Sequence, residues 1–96
     1  MPGIVREGDN STADPCGAPP RPASSFSPNV FINGKAAVRE GDSWAPHNCP
    51  GQGHHNAVSI GCSSKIFVNG KGIFRKGDSI SCGSFGDICS PNVIAS

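Results

Sequence analysis

Residues 27–42 read SPNVFINGKAAVREGD, and residues 63–78 read SSKIFVNGKGIFRKGD. In register the two give S-x-x-[VI]-F-[IV]-N-G-K-x-x-x-R-x-G-D. An internal repeat of this kind decides how the chain is organised before any single residue does. In each copy a β-branched or aromatic triplet, Val30-Phe31-Ile32 or Ile66-Phe67-Val68, runs directly into Asn-Gly. Such triplets favour strands. Asn-Gly suits a type I′ turn, whose two central residues both need positive φ. Residues 36–39 and 72–75 are the predicted return strands, and Gly41-Asp42 and Gly77-Asp78 close each unit with a second turn.

Outward from these copies, both ends of the chain carry fragments of the same unit. Residues 3–9, GIVREGD, are its second half, and residues 90–94, SPNVI, are its first half. The chain therefore holds three units, ending at Asp9, Asp42 and Asp78, with the first completed by residues 90–96 in a single domain over 1–96. If the last segment pairs with the first, three similar units close into a ring with approximate threefold pseudosymmetry. Closure removes the free edges that small β proteins must manage. No stretch sustains helical periodicity, so the predicted class is all-β, built of three pseudo-threefold β-hairpin repeats.

Composition says what such a chain lacks. Of 96 residues, 35% are hydrophobic and 6% aromatic, with 13 glycines and 9 prolines. A core this small calls for a disulfide, a metal or a partner to supplement it. The formal charge is +1, and no basic run interleaves with aromatics, which argues against a nucleic-acid partner. No apolar run reaches the roughly 20 residues of a membrane helix. The start, MPGIVREGDN, has neither a basic n-region nor an apolar h-region. The expectation is synthesis in the cytoplasm, with any export through a dedicated machine.

The segments between units differ in character from the units. Residues 10–26, 43–62 and 79–89 carry all five cysteines and all three histidines. An odd cysteine count without a signal peptide argues against a complete disulfide framework and toward a metal. One ligand-bearing segment per unit suits a single tetrahedral site where the segments converge near the pseudo-axis. Zinc prefers four N/S ligands in closed structural sites, and iron is the next candidate. The preferred quartet is Cys16, His47, His54 and Cys82, with Cys49 and His55 as substitutes. Cys62 and Cys89 precede the strands of their units and read as small buried residues. The recurrent arginines and Gly-Asp pairs read as turn chemistry with strand-end ion pairs, and Trp44 as a packing residue. Alternation along the strands leaves Val30, Ile32, Ile66, Val68, Val93 and Ile94 open between core and an exposed base.

The N-G-K-x-x-x-R-x-G-D units, the S-P-N-V-F start and the stretch GDSWAPHNC at 41–49 together resemble the PAAR-repeat family over essentially the whole chain. Its name motif, Pro-Ala-Ala-Arg, reads Ala36-Ala37-Val38-Arg39 and Gly72-Ile73-Phe74-Arg75 here, so only the arginine is kept. The resemblance implies a cone whose broad base sits on a trimeric β-helical spike, one copy per trimer, and whose vertex holds a metal. It puts His47, His54 and Cys82 on ligand positions. In the first segment a histidine is usual; here Cys16 takes its place, with Asp14 as the fallback. It implies a non-enzymatic tip that sharpens the spike of a phage tail baseplate or type VI secretion machine for piercing a target envelope. A small disulfide- or metal-stapled binding module is the alternative. A zinc hydrolase would need an open coordination position and a nearby general base, and no glutamate lies near the histidines.

Overall fold

A computed structural model describes residues 2–13, 19–49 and 53–96, with side chains for these except 46–49 and 53–56. Six strands pair as three antiparallel hairpins: β1 (Phe31–Ile32) with β2 (Lys35–Ala36), β3 (Ser43–Cys49) with β4 (Gly53–Val58), and β5 (Phe67–Val68) with β6 (Lys71–Gly72). The described residues form no helix. Asn33 and Asn69 have φ of 54° and 55°, and Gly34 and Gly70 have φ of 80° and 78°. Both Asn-Gly turns thus hold two consecutive left-handed residues, as the I′ geometry requires.

The two repeat hairpins are shorter than the sequence suggests, because each return strand leaves its own partner and turns to its neighbours. Arg6 bridges Ala37, Arg39 bridges Ile73 and Arg75 bridges Ile4, so each unit's arginine lies against the next unit. The valine or phenylalanine just before the arginine completes a cycle of backbone hydrogen bonds. Val5 N–H donates to Phe74 (3.1 Å), Phe74 to Val38 (2.9 Å) and Val38 to Val5 (3.2 Å). These three side chains are 0% exposed and form the axial core. At the seam, Gly3 bridges Ile94, Ile4 N–H donates to Val93 and Ala95 N–H donates to Pro2. Residues 2–4 therefore pair with 93–95 as the start of each return strand pairs with its own first half.

Above this layer the segments between units form a second closed circuit. Asn10 bridges Pro22, Ala23 bridges Trp44, Trp44 pairs with Ala57, Ser59 bridges Ile80, Ser79 bridges Phe85, and Gly86 returns to Ser11. Segments read as loops from their Pro, His and Gly content are thus extended and paired, and residues 43–58 are mostly strand. Trp44 lies over the axial core, its ring 5.5 Å from that of Phe74. Its Nε1–H donates to Ser59 Oγ at 2.9 Å, which satisfies the one polar atom of a buried indole.

Each unit is locked by a clamp between its arginine and aspartate. In all three, the arginine backbone N–H and Nε–H donate to one carboxylate oxygen of the aspartate three residues on, and Nη2–H donates to the other. The hydrogen bond from Asp42 raises the pKa of Arg39, and that from Asp78 raises the pKa of Arg75. The turn asparagines connect these clamps across units. Arg39 Nη1–H and Ser27 Oγ–H both donate to Asn69 Oδ1, at 3.1 and 2.7 Å. Arg6 Nη1–H and Ser90 Oγ–H do the same to Asn33 Oδ1, at 3.1 and 2.6 Å. In the split unit the carbonyl of Ser96 accepts from Ser63 Oγ instead.

Cys62 and Cys89 are half-buried and pack against the axial core, as does Phe26, the residue before the serine in the remaining unit. A Cβ on Gly3 would sit 2.6 Å from Cys89 Sγ, and one on Gly72 would sit 3.1 Å from Cys62 Cβ. The cysteines therefore fill space against glycines, as small apolar residues do. Burial pushes the Cys62 thiol up from 9.0 to about 12, with the charges of Asp78 and Glu40 adding to it.

Two expectations follow. Asn69→Gly keeps the turn but removes the acceptor for Arg39 and Ser27, and should cost about 1–2 kcal/mol in denaturant unfolding. Asn69→Ala loses both the acceptor and the left-handed preference, and should cost about 1 kcal/mol more. For Cys62, the folded chain retains a thiol proton that the unfolded chain releases above pH 9.0. The unfolded state then binds fewer protons, so stability falls as pH rises between 9.0 and about 12. Thermal unfolding of wild type and Cys62→Ala across that range should show a flatter alkaline decline in the variant.

Candidate functional site

Two surfaces of the fold bear on function: the upper end, where the predicted metal ligands lie, and the base, where the repeat hairpins lie. At the upper end, Cys16 and Asp14 fall outside the described residues. His47 and Cys49 are on β3, and His54 and His55 are on β4; their backbone is described and their side chains are not. The ladder slips between Trp44 and His47 and then pairs His47 with His55, Asn48 with His54 and Cys49 with Gly53. The pairing brings the backbones of all four candidates in this segment into one hairpin. Sequence reasoning grouped these residues without supplying the register, because the bulge that sets it leaves no mark in composition.

Cys82 is the one member of the predicted quartet with a described side chain. It is half-buried against the axial core and its Sγ lies 3.4 Å from Ser84 Oγ. Ser11, Arg21, Trp44, Ile80 and Ser84 join it around a cavity of about 10 Å³ beneath the upper end. Ser11, Trp44 and Ile80 hold matching places in the three upper-ring segments, so Cys82 shares a cavity to which all three units contribute. Cys62, Cys82 and Cys89 are free thiols. Among the described residues no three histidine, cysteine or carboxylate side chains cluster.

The base resolves what strand alternation left open. Val68 is buried with Ile4, Ala37, Ile73 and Ala95 in a second cluster, and Val30, Ile32 and Val93 pack on it. Ile66 and Ile94 are exposed instead. Phe31, Phe67 and Ile94 occupy one position in the three units and are 58%, 60% and 52% exposed. Sequence reasoning placed Phe31 and Phe67 in strands but did not single them out as surface residues. The signal was present: each precedes an inward-facing residue of its unit, Ile32, Val68 or Ala95, and period 2 turns the side chain before it outward.

The PAAR motif family model matches residues 27–85. That span runs from the first intact repeat through β3–β4 and the second repeat to Phe85. A comparison with curated proteins gives no match. PAAR-motif proteins are structural proteins found at the tips of the spikes of phage tails and type VI secretion systems, in association with the spike protein. The match covers more than half of the chain and falls on the elements that build the ring, so the chain belongs to the PAAR-motif family.

Proposed function

We propose that this chain caps and sharpens the blunt end of a trimeric β-helical spike, one copy per trimer, so that a contractile phage tail or type VI machine can pierce a target envelope. The role is mechanical and not enzymatic. The observation that carries it is the base. Phe31, Phe67 and Ile94 are symmetry-related within one chain, and each leaves more than half of its surface uncovered. A monomer with three equivalent apolar contacts matches a partner with true threefold symmetry, because each unit then meets the same surface. Covering the exposed half of such a side chain contributes about 1 kcal/mol, so the three together supply a modest apolar anchor to which further contacts add. The body suits a point, extending 37 Å along its long axis and 23 and 22 Å across it.

The second part of the proposal is a structural zinc, or failing that iron, at the upper end. Cys16, His47, His54 and Cys82 would hold it, with Cys49, His55 and Asp14 as substitutes. Cys82 supports the site by its place beside a cavity to which all three units contribute, as a half-buried free thiol. In the β3–β4 ladder the backbones of His47 and His55 are directly opposed, which makes His55 the first substitute for His54. A thiolate and imidazole set fits zinc in closed tetrahedral coordination. When bound, the ion would tie the three inter-unit segments together where side-chain packing ends, adding folding free energy directly.

Elemental analysis should find one zinc or iron per chain. Cys82→Ser should lower both the metal content and the melting temperature; metal-free wild type purified without chelator would remove the vertex site. For the base, wild type should co-purify with the cognate spike trimer. Phe31→Asp combined with Phe67→Asp should abolish this while Trp44 fluorescence, which reports the distant core, stays unchanged. Lack of association by wild type at micromolar concentration, with metal present, would overturn the capping role.

A further inference from the structure

The base carries charge as well as apolar surface, and the charge is of one sign where the apolar residues are exposed. Hairpin segments 27–37, 63–73 and 90–95, with residues 2–5 at the seam, contain three charged side chains: Lys35, Lys65 and Lys71. All three are exposed, and among the described residues none is paired with a carboxylate. The arginines that follow differ, because Arg6, Arg39 and Arg75 are each neutralised by their own aspartate. Exposed Glu7 and Glu40 follow two of those arginines in sequence, and their amide N–H groups bond to the carbonyls of Ala36 and Gly72, the residues after Lys35 and Lys71. The matching place in the third unit is Lys76, so cations outnumber carboxylates around the base even with these included.

The distribution is uneven. The unit at 63–73 exposes Ile66 as well as Phe67, and Lys65 and Lys71 flank that pair. The first repeat offers Phe31 with Lys35 alone, and the seam offers Ile94 with no lysine.

We infer that the end of the spike trimer carries carboxylates around its apolar centre, placed to meet these lysines, and that the unit at 63–73 is the main anchor. The inference rests on the proposed docking of the base to a spike and adds the chemistry of the surface that receives it. Opposite charge at an interface rim speeds encounter and fixes orientation, and its contribution is screened by salt. A threefold partner presents its carboxylate three times, and only the unit at 63–73 can meet it with two cations.

The test measures affinity of the full, metal-loaded chain for the recombinant cognate spike trimer at about 50 mM and about 500 mM salt. Wild-type affinity should fall about tenfold between the two. The double variant Lys65→Glu/Lys71→Glu should bind about tenfold more weakly than wild type at low salt, with the gap narrowing to about threefold at high salt. Lys35→Glu should have a smaller effect and Lys76→Glu should bind like wild type; Trp44 fluorescence confirms folding in each. If wild type binds equally at both salts and the double variant binds like wild type, docking is apolar alone: the inference falls and the capping role stands. Absence of binding at either salt removes the capping role and the inference together. Binding of the chain to vesicles containing about one-third anionic phospholipid, with none to the spike, assigns the lysines to a membrane and also overturns it.

Discussion

Everything in this fold hangs on three backbone hydrogen bonds that run in a circle. Val5, Phe74 and Val38 each donate to one member of the trio and accept from the other. None of the three bonds lies within a hairpin; each joins two units. The side chains of the same residues join one buried cluster and are the largest fully buried apolar side chains among the described residues. A chain with so few large apolar residues cannot build a layered core, so it collects them at the one point where all three units converge. The arginine clamps, the turn asparagines and the upper ring hold the units at the spacing this convergence demands.

The same economy explains why polar side chains carry so much of the structure. The Arg–Asp clamps are buried or nearly so. A buried guanidinium is tolerable only when its donors are matched. Here the aspartate takes up to three donors and the neighbouring asparagine takes a fourth from Arg6 and Arg39. Removing any one partner strands the others, which makes the network a device for specifying one arrangement of units as much as for stabilising it.

Much of this was legible in the residues. Asn33-Gly34 and Asn69-Gly70 announced their turns, and the recurrence of Arg and Gly-Asp announced the units. The fragments at 3–9 and 90–94 read as halves of one repeat, and they are adjacent in space. Pairing between units was not legible, because Arg6 meets Ala37 and Arg39 meets Ile73 through contacts with no local sequence signature. The strand character of residues 43–58 was hidden by proline, histidine and glycine, which composition assigns to loops. Alternation put Ile66 and Val68 on one face, and it took the three-unit packing to show that only Val68 of the two is covered. At the candidate metal centre, residue types and segments could be read from sequence, while the pairing of His47 with His55 depends on a bulge that only the ladder reveals.

The seam at Gly3 and Ile94 makes the molecule a hoop. In an open sheet, an edge strand can be peeled away one hydrogen bond at a time, and each rupture exposes the next. A hoop offers no place for peeling to begin. Thrust along the axis is redirected into tension around the circumference, where the bridges of both rings share the load at once. A chain of 96 residues can thereby resist deformation with a small core, because its toughness comes from the loading geometry more than from the strength of any bond.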